Sequence, residues 1–506
     1  MSGQSPLAPV APRVSNASHT ATMLVLAWGA LAFGAVYDWA FWPLAAACAL
    51  CGAHALTRPS PVPRLPGVLT TVGLAAIAVA TLAQIVPLPV NLLTALSPHG
   101  ARVLSDLDIS FAARLVGRHA LSIAPEATLT ALLLYAAFVT IMLGVARTVS
   151  ATGPRRLAAL IAGLGAVLAL VGIAQRPFYS GQIYGFWTPI MAGSPFGPFV
   201  NKNHFAGWML MALPLTFGLL CANAARVVPR GATGWRPRVL WWSSPEANQV
   251  LLLAAAAAVM ALSLMLTMSR SGMLAFAASI SVTSWLAIRR LPAGTGRWVL
   301  AGYFACLVLF VVGWAGVDAV AARFGSADPA TVNERLPIWR DTWSLVKDFW
   351  LTGSGLNTYG VATLIYPTSV PGFHLREAHN DYLQLAAEGG LLLGAPIVFT
   401  AAALMRDVRQ RFAGSHGSSY WIRLGAVAGL GAIALQSTVE FSLQMPGNAA
   451  LCAVLCGIAL HRDPRPASRR SASGPVVVDD DGRVERVERG HEHDRTDGVL
   501  PAHLLG

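Results

Sequence analysis

Apolar residues in this chain come in long uninterrupted runs, separated by short segments that carry most of the charge. Twelve runs approach the roughly 17–25 residues that a helix needs to cross a bilayer. They lie near 21–37, 39–57, 67–86, 127–146, 157–175, 204–225, 249–268, 271–288, 298–317, 381–404, 421–440 and 445–460. The pattern predicts an all-α polytopic membrane protein with about 12 transmembrane helices. The first 20 residues are polar and form an N-terminal segment, the membrane domain covers 21–460, and a tail from 461 to 506 lacks apolar periodicity and reads as disordered.

Composition agrees. Hydrophobic residues make up 55% of the 506 and charged residues only 12%, half the share of an average soluble domain. A net charge of +12 raises nucleic acid as a partner. The charges sit in short loops and form no single basic face, so that class is set aside. All six cysteines lie inside apolar runs. Cys48 and Cys51 have redox or metal spacing, but their alanine-rich setting predicts small core residues.

Basic residues accumulate in the cytoplasmic loops of membrane proteins. With the N-terminus inside, every inner segment is basic, and 25 of the 36 Lys and Arg residues fall inside. Both termini are then cytoplasmic. Three long segments face out, 87–126, 176–203 and the largest, 318–380, between the ninth and tenth spans. Leu104, Leu107, Phe111 and Leu115 make a stripe in the first of these, suited to a helix on the membrane surface.

The candidate chemistry collects on that outer side. "HNDYLQ" opens the tenth span, where Asp381 and Gln384 have the spacing of an N-cap and its capping-box partner. His379 then stands beside the helix's positive end, which favours the neutral imidazole. Asn380 lies between them. Glu388, seven residues past Asp381, is an ionisable group inside a span, a position that serves function or a buried ion pair. The following Gly389 and Gly390 permit close approach of another helix. "TMSRSGML" places Arg270 at an outer helix end, with backbone donors around it suited to a phosphate oxygen. In "NERLPIWRDTWSLVKDFW", Trp339, Trp343, Val346 and Trp350 form an apolar stripe, and Arg335, Arg340 and Lys347 supply cations. The alternative for this stretch is a plain interfacial helix. "GSGLNTYG" is a weak phosphate-loop signal. "GPFVNKNHFAG" contributes Lys202, Asn203 and His204, and "TVEFSLQMPGN" contributes Glu440. A base, several cations and an apolar floor suit a substrate with a lipid tail, a pyrophosphate and a polar head.

These motifs, in this order, resemble the O-antigen ligase family of bacterial envelopes. The resemblance runs over roughly residues 20–460 and extends to "QIVPLPVNLLTALSP" and "LSIAPEATLTALLLYAAF". It implies an inner-membrane enzyme with a large periplasmic loop, taking a glycan from undecaprenyl pyrophosphate and joining it to an acceptor hydroxyl. In true ligases the acceptor is the lipid A core; in polymerases it is the growing polysaccharide. The resemblance implies no metal and no other cofactor. It makes His379 the essential loop histidine, and Arg270 with either Arg335 or Arg340 the pyrophosphate-binding positions. Glu440 stands where aspartate is the commoner residue. A protein-glycosylating ligase, a transporter of lipid-linked sugars and a structural envelope subunit are the competing expectations. A transporter predicts repeated halves and midplane ionisable groups; the sequence shows no fixed repeat, and Glu388 is the only clear intramembrane acid.

Overall fold

A computed structural model of the protein describes residues 13–59, 66–190, 193–227, 244–290, 302, 329–366, 374–463, 476–478 and 484–486. The chain divides into two units, Met1–Asp463 and Pro464–Gly506. Within the second, Val476–Val478 pairs antiparallel with Val484–Arg486.

In the first unit the apolar runs become helices, the form in which a segment satisfies its own backbone hydrogen bonds away from water. These are α1 (Arg13–Leu31), α2 (Asp38–Thr57), α3 (Val68–Ile85), α7 (Pro125–Thr152), α8 (Arg155–Gln175), α9 (Lys202–Val227), α10 (Pro245–Leu266), α11 (Arg270–Arg290), α14 (Asp381–Ala413), α15 (Gly417–Gln436) and α16 (Pro446–Leu460). Eight of them are long and apolar enough to cross a membrane: α2, α3, α7, α8, α9, α10, α14 and α15. α1 and α16 are shorter apolar helices, and α11 is helical without meeting that threshold. The span expected at 298–317 lies outside the described residues. α9 runs through the middle of the bundle, fully buried along its apolar window.

α1 stops at Leu31, six residues short of the expected end. Phe33, Gly34 and Ala35 take left-handed φ values of 60°, 73° and 55°, and the chain turns directly into α2. A side chain on Gly34 would meet the Phe199 ring at 2.9 Å.

The helix ends gather in two sets. At one end Arg147 donates to the carbonyls of Leu56 and Arg58, and Arg155 to Asn223 and Ser418. There, fully buried Arg423 donates to the carbonyls of Ala459 and His461, capping the end of α16 where carbonyls lack helical partners. The other end carries the candidate residues and a helical cap.

The cap differs from the expected surface helix. Segment 87–126 folds as three short helices, α4 (Val90–Leu96), α5 (Pro98–Leu107) and α6 (Ile109–Ala112). Asp108 interrupts the run, its carboxylate accepting from the amides of Ser110 and Phe111, an N-cap that starts a new helix. Leu104 and Phe111 are buried with Leu93 and Ala101 in a small core of their own; Leu115 stays exposed. A second core joins Val103 and Ile123 to Leu345, Phe349 and Tyr359, tying this segment to α12 (Pro329–Asp348) and α13 (Tyr359–Ala362). α12 buries Ile338, Thr342 and Leu345, and Phe349 just beyond it is buried too, while Trp343 and Trp350 are exposed. The face packed on the cap is thus distinct from the exposed Trp343 and Trp350, and it includes a polar contact: Thr342 shares a hydrogen bond with Tyr359.

α14 is broken at Gly390 (φ 53°, ψ −156°). One loop answers four of the freed groups. Leu391 and Leu392 donate to the carbonyls of Trp350 (2.7 Å) and Leu351 (2.9 Å), and the carbonyls of Ala387 and Glu388 accept from Ser354 and Gly355. Buried Gln84 at the end of α3 fastens the joint, donating to the carbonyls of Thr352 and Glu388 and accepting from Leu356. The two glycines thus admit a loop where the sequence suggested a helix. A Cβ on Gly390 would lie 2.5 Å from the Gly353 amide nitrogen, at a φ that L residues seldom take. Gly390→Ala is expected to cost about 2 kcal/mol or more from backbone strain and the displaced loop. Thermal unfolding of the purified protein in detergent checks this, and an unchanged midpoint would contradict it.

Candidate active site

Four chain segments meet at Glu440, in the turn between α15 and α16. The carboxylate is buried. Its Oε1 accepts from Arg335 Nη2 at 2.5 Å and from Asn203 Nδ2 at 2.8 Å. Its Oε2 faces His379 Nδ1 at 3.9 Å, an ion-pair separation too long for a hydrogen bond. Burial alone would push this carboxyl up; the imidazole and the Arg335 guanidinium outweigh it and hold it below the ordinary carboxylate range. Phe441 follows, and its ring takes edge contacts from His379 (4.9 Å) and from buried His204 (4.7 Å). Asn448 locks this turn to α9 by donating to the carbonyls of both His204 and Ser442.

His379 sits one residue before the helix cap with φ 51°, a left-handed conformation that few non-glycine residues adopt, though histidine does so more readily than most. Its side chain is 35% exposed, so the ring is both held and accessible. The cap is Asn380, whose Oδ1 accepts from Leu383 N at 3.0 Å. The sequence reading assigned that place to Asp381. The one-residue shift leaves Asp381 free for tertiary work: its amide donates to the carbonyls of Ser437 and Glu440, and its carboxylate accepts from Gln444. Gln384, expected as a capping-box partner, reaches back to the amide of Ala378 at 2.9 Å.

The remaining candidates divide. Arg335 enters the cluster; Arg340, about 140° further round α12 by helical geometry, is exposed. Lys202 opens α9, its amide donating to the carbonyl of Ser194. Arg270 opens α11 at the same level, since a Cβ on Gly272 would lie 3.0 Å from that of Ala206. Glu388 takes a different part. It is buried and accepts from the amides of Asn357 (2.9 Å) and Tyr359 (3.0 Å) and from Gln384 (3.2 Å). The amides of Asn357 and Tyr359 belong to "GSGLNTYG", so the loop that resembled a phosphate cradle is closed on a carboxyl group of the protein itself. The sequence reading passed over Phe441, Asn448 and Gln84. All three lie inside quoted motifs, Gln84 as the first residue of "QIVPLPVNLLTALSP", but nothing local marks Gln84 as the tie to the carbonyl of Glu388, 304 residues away. A cavity of about 400 Å³ between α1, α2 and α7, lined by Thr22, Cys51, Gly52 and Gly144, contains no candidate residue. Among the described residues no group of His, Cys, Asp and Glu has the arrangement of a metal site.

A helical bundle with membrane-length apolar helices, carrying an Arg–Glu–His cluster at one end under a helical cap, defines a polytopic membrane protein with a polar site at a helix-end junction. Residues 255–398 match the family model described as O-antigen ligase. This segment, a little over a quarter of the chain, is similar to that family, and the similarity supports membrane glycosyl transfer of the ligase or polymerase type. No curated protein matches the chain. The matched stretch contains Arg270, Arg335, Arg340, His379, Asn380, Asp381 and Glu388; Lys202, Asn203, His204 and Glu440 lie outside it. Glu440 and Asn203 join it through hydrogen bonds.

Proposed function

We propose that this protein transfers a glycan from undecaprenyl pyrophosphate to an acceptor hydroxyl, with His379 as the base and Arg335 and Arg270 as the cations on the leaving group. The observation that carries the reading is the single carboxylate, Glu440, facing both the imidazole and the Arg335 guanidinium. The acceptor oxygen attacks the anomeric carbon, its proton passes to His379, and the bond from that carbon to the pyrophosphate oxygen breaks. Negative charge grows on the departing pyrophosphate, where guanidinium groups stabilise it most. With Glu440 occupying one amino group of Arg335, the planar fork keeps further donors for phosphate. Cationic side chains in this role make a divalent ion unnecessary to the proposed mechanism.

The site faces the periplasm in this reading, with the protein in the inner membrane and both termini cytoplasmic. The exposed face of α12, with Leu336, Trp343 and Trp350, rests at the lipid–water boundary where aromatic rings are favoured. Lys202 and Arg340 serve the approaching donor as outlying cations, and His204, Asn203, Asn380 and Asp381 frame the base. The acceptor is the lipid A core or a growing polysaccharide. Reconstitution of the purified protein with lipid-linked oligosaccharide in the presence of a chelator tests the chemistry. Product attached to lipid A core identifies a ligase, product of increased glycan length a polymerase, and absence of any transfer product from either acceptor defeats the proposal.

A further inference from the structure

We infer that Gln384 and Trp339 are positioning residues for His379, a reading that rests on the histidine's proposed role as base. A left-handed backbone at a non-glycine residue costs of order 1 kcal/mol or more and persists only where its surroundings over-determine it. Here the restraint is visible on both flanks. Ala378, fully buried, has both backbone groups held by side chains: its amide donates to Gln384 Oε1 (2.9 Å) and its carbonyl accepts from Trp339 Nε1 (3.1 Å). On the other flank the Asn380 side chain caps α14 and the Asp381 amide is held by the turn containing Glu440. His379 is therefore suspended between two anchored peptide groups.

Gln384 can do this only in one orientation. It is buried, and its amide nitrogen donates to Glu388 Oε1 (3.2 Å) and Gln444 Oε1 (3.1 Å). A backbone N–H only donates, so the side-chain oxygen must point at Ala378. One glutamine thereby ties the histidine segment to the Glu388 loop on one side and to the Gln444 turn that carries Glu440 on the other. Its three hydrogen bonds use both of its protons. Trp339 adds the matching tie from α12 on the carbonyl side of Ala378.

The substitutions Gln384→Met and Trp339→Phe remove these hydrogen bonds with little change of shape. In the reconstituted full-length protein, kcat is expected to fall on the order of 10–100-fold for each, the effect of a misplaced catalytic group. Binding of a polyprenyl pyrophosphate without glycan is expected to stay within about twofold of wild type, since this support acts on the base and leaves leaving-group contacts intact. Wild-type kcat in both variants would overturn the inference. Parallel loss of kcat and of pyrophosphate binding would also overturn it, showing general disruption of the site. His379→Asn measured alongside separates the two levels: if that variant transfers glycan normally, the proposed base is at fault and the hydrogen-bonded support is not what has failed.

Discussion

His379→Ala is expected to abolish measurable glycan transfer while leaving the protein inserted and folded. Loss of a general base removes about 10²–10⁴-fold in rate. The ring is 35% exposed and meets Phe441 only edge-on, so little packing is lost. Alanine takes φ 51° less readily than histidine and adds some backbone strain. His379→Asn is the better-matched control, because asparagine tolerates the left-handed region and yet supplies no base near neutral pH. Both variants should bind a polyprenyl pyrophosphate with wild-type affinity. Transfer at the normal rate by either one would remove the imidazole from the mechanism.

Glu440→Gln is expected to lower transfer by about 10–100-fold, acting through misplacement of Arg335 and His379, and to destabilise the protein by about 1–3 kcal/mol through loss of charge-assisted hydrogen bonds. Glutamine retains the shape and one acceptor, so Asn203 keeps a partner, but the charge facing both the guanidinium and the imidazole is gone. The pH dependence has a defined sign. Glu440's folded-state pKa lies below its ordinary value, so its stabilising contribution is fully present above the unfolded carboxylate range near ~4.3 and is lost as pH falls through the lower, folded value. Wild type should therefore lose stability on acidification below about pH 4.3 more steeply than Glu440→Gln. Asp463 is likewise held low, burial being outweighed by His461 and Arg423, but it is present in both proteins and drops out of the difference. Equal acid slopes would show that Glu440 carries no such linkage, and undiminished transfer would take it out of the site.

Much of the fold was legible because hydrocarbon imposes a simple rule. A run of apolar residues with no internal hydrogen-bonding partner outside itself becomes a helix, and eleven of the twelve expected spans coincide with helices of the described chain. The basic loops also pointed to helix ends that do gather at one end, through Arg147, Arg155 and Arg423. The site was legible in kind. Its histidine, arginines and Glu440 all stand in motifs at expected outer helix ends, where polar residues interrupt apolar runs. What misled was local inference across a tertiary contact. Asp381 reads as a cap from spacing, yet Asn380 takes the cap because the Asp381 amide and carboxylate are engaged by the 437–444 turn. Leu104 and Phe111 read as a membrane-facing stripe, yet Asp108 breaks the helix and folds them onto each other.

By itself the sequence determined the helices, their order and which ends carry the polar residues, because each of these depends on transfer of a local segment between water and hydrocarbon. Only the tertiary structure decided between Arg335 and Arg340 as the partner of Glu440. It alone showed that Glu388 closes a loop and that a break in α14 is sealed by Gln84. Those outcomes are pairings of single hydrogen-bonding groups from segments up to three hundred residues apart, and a buried donor or acceptor is satisfied by whichever partner the packed chain brings within about 3 Å, a distance that no local pattern encodes.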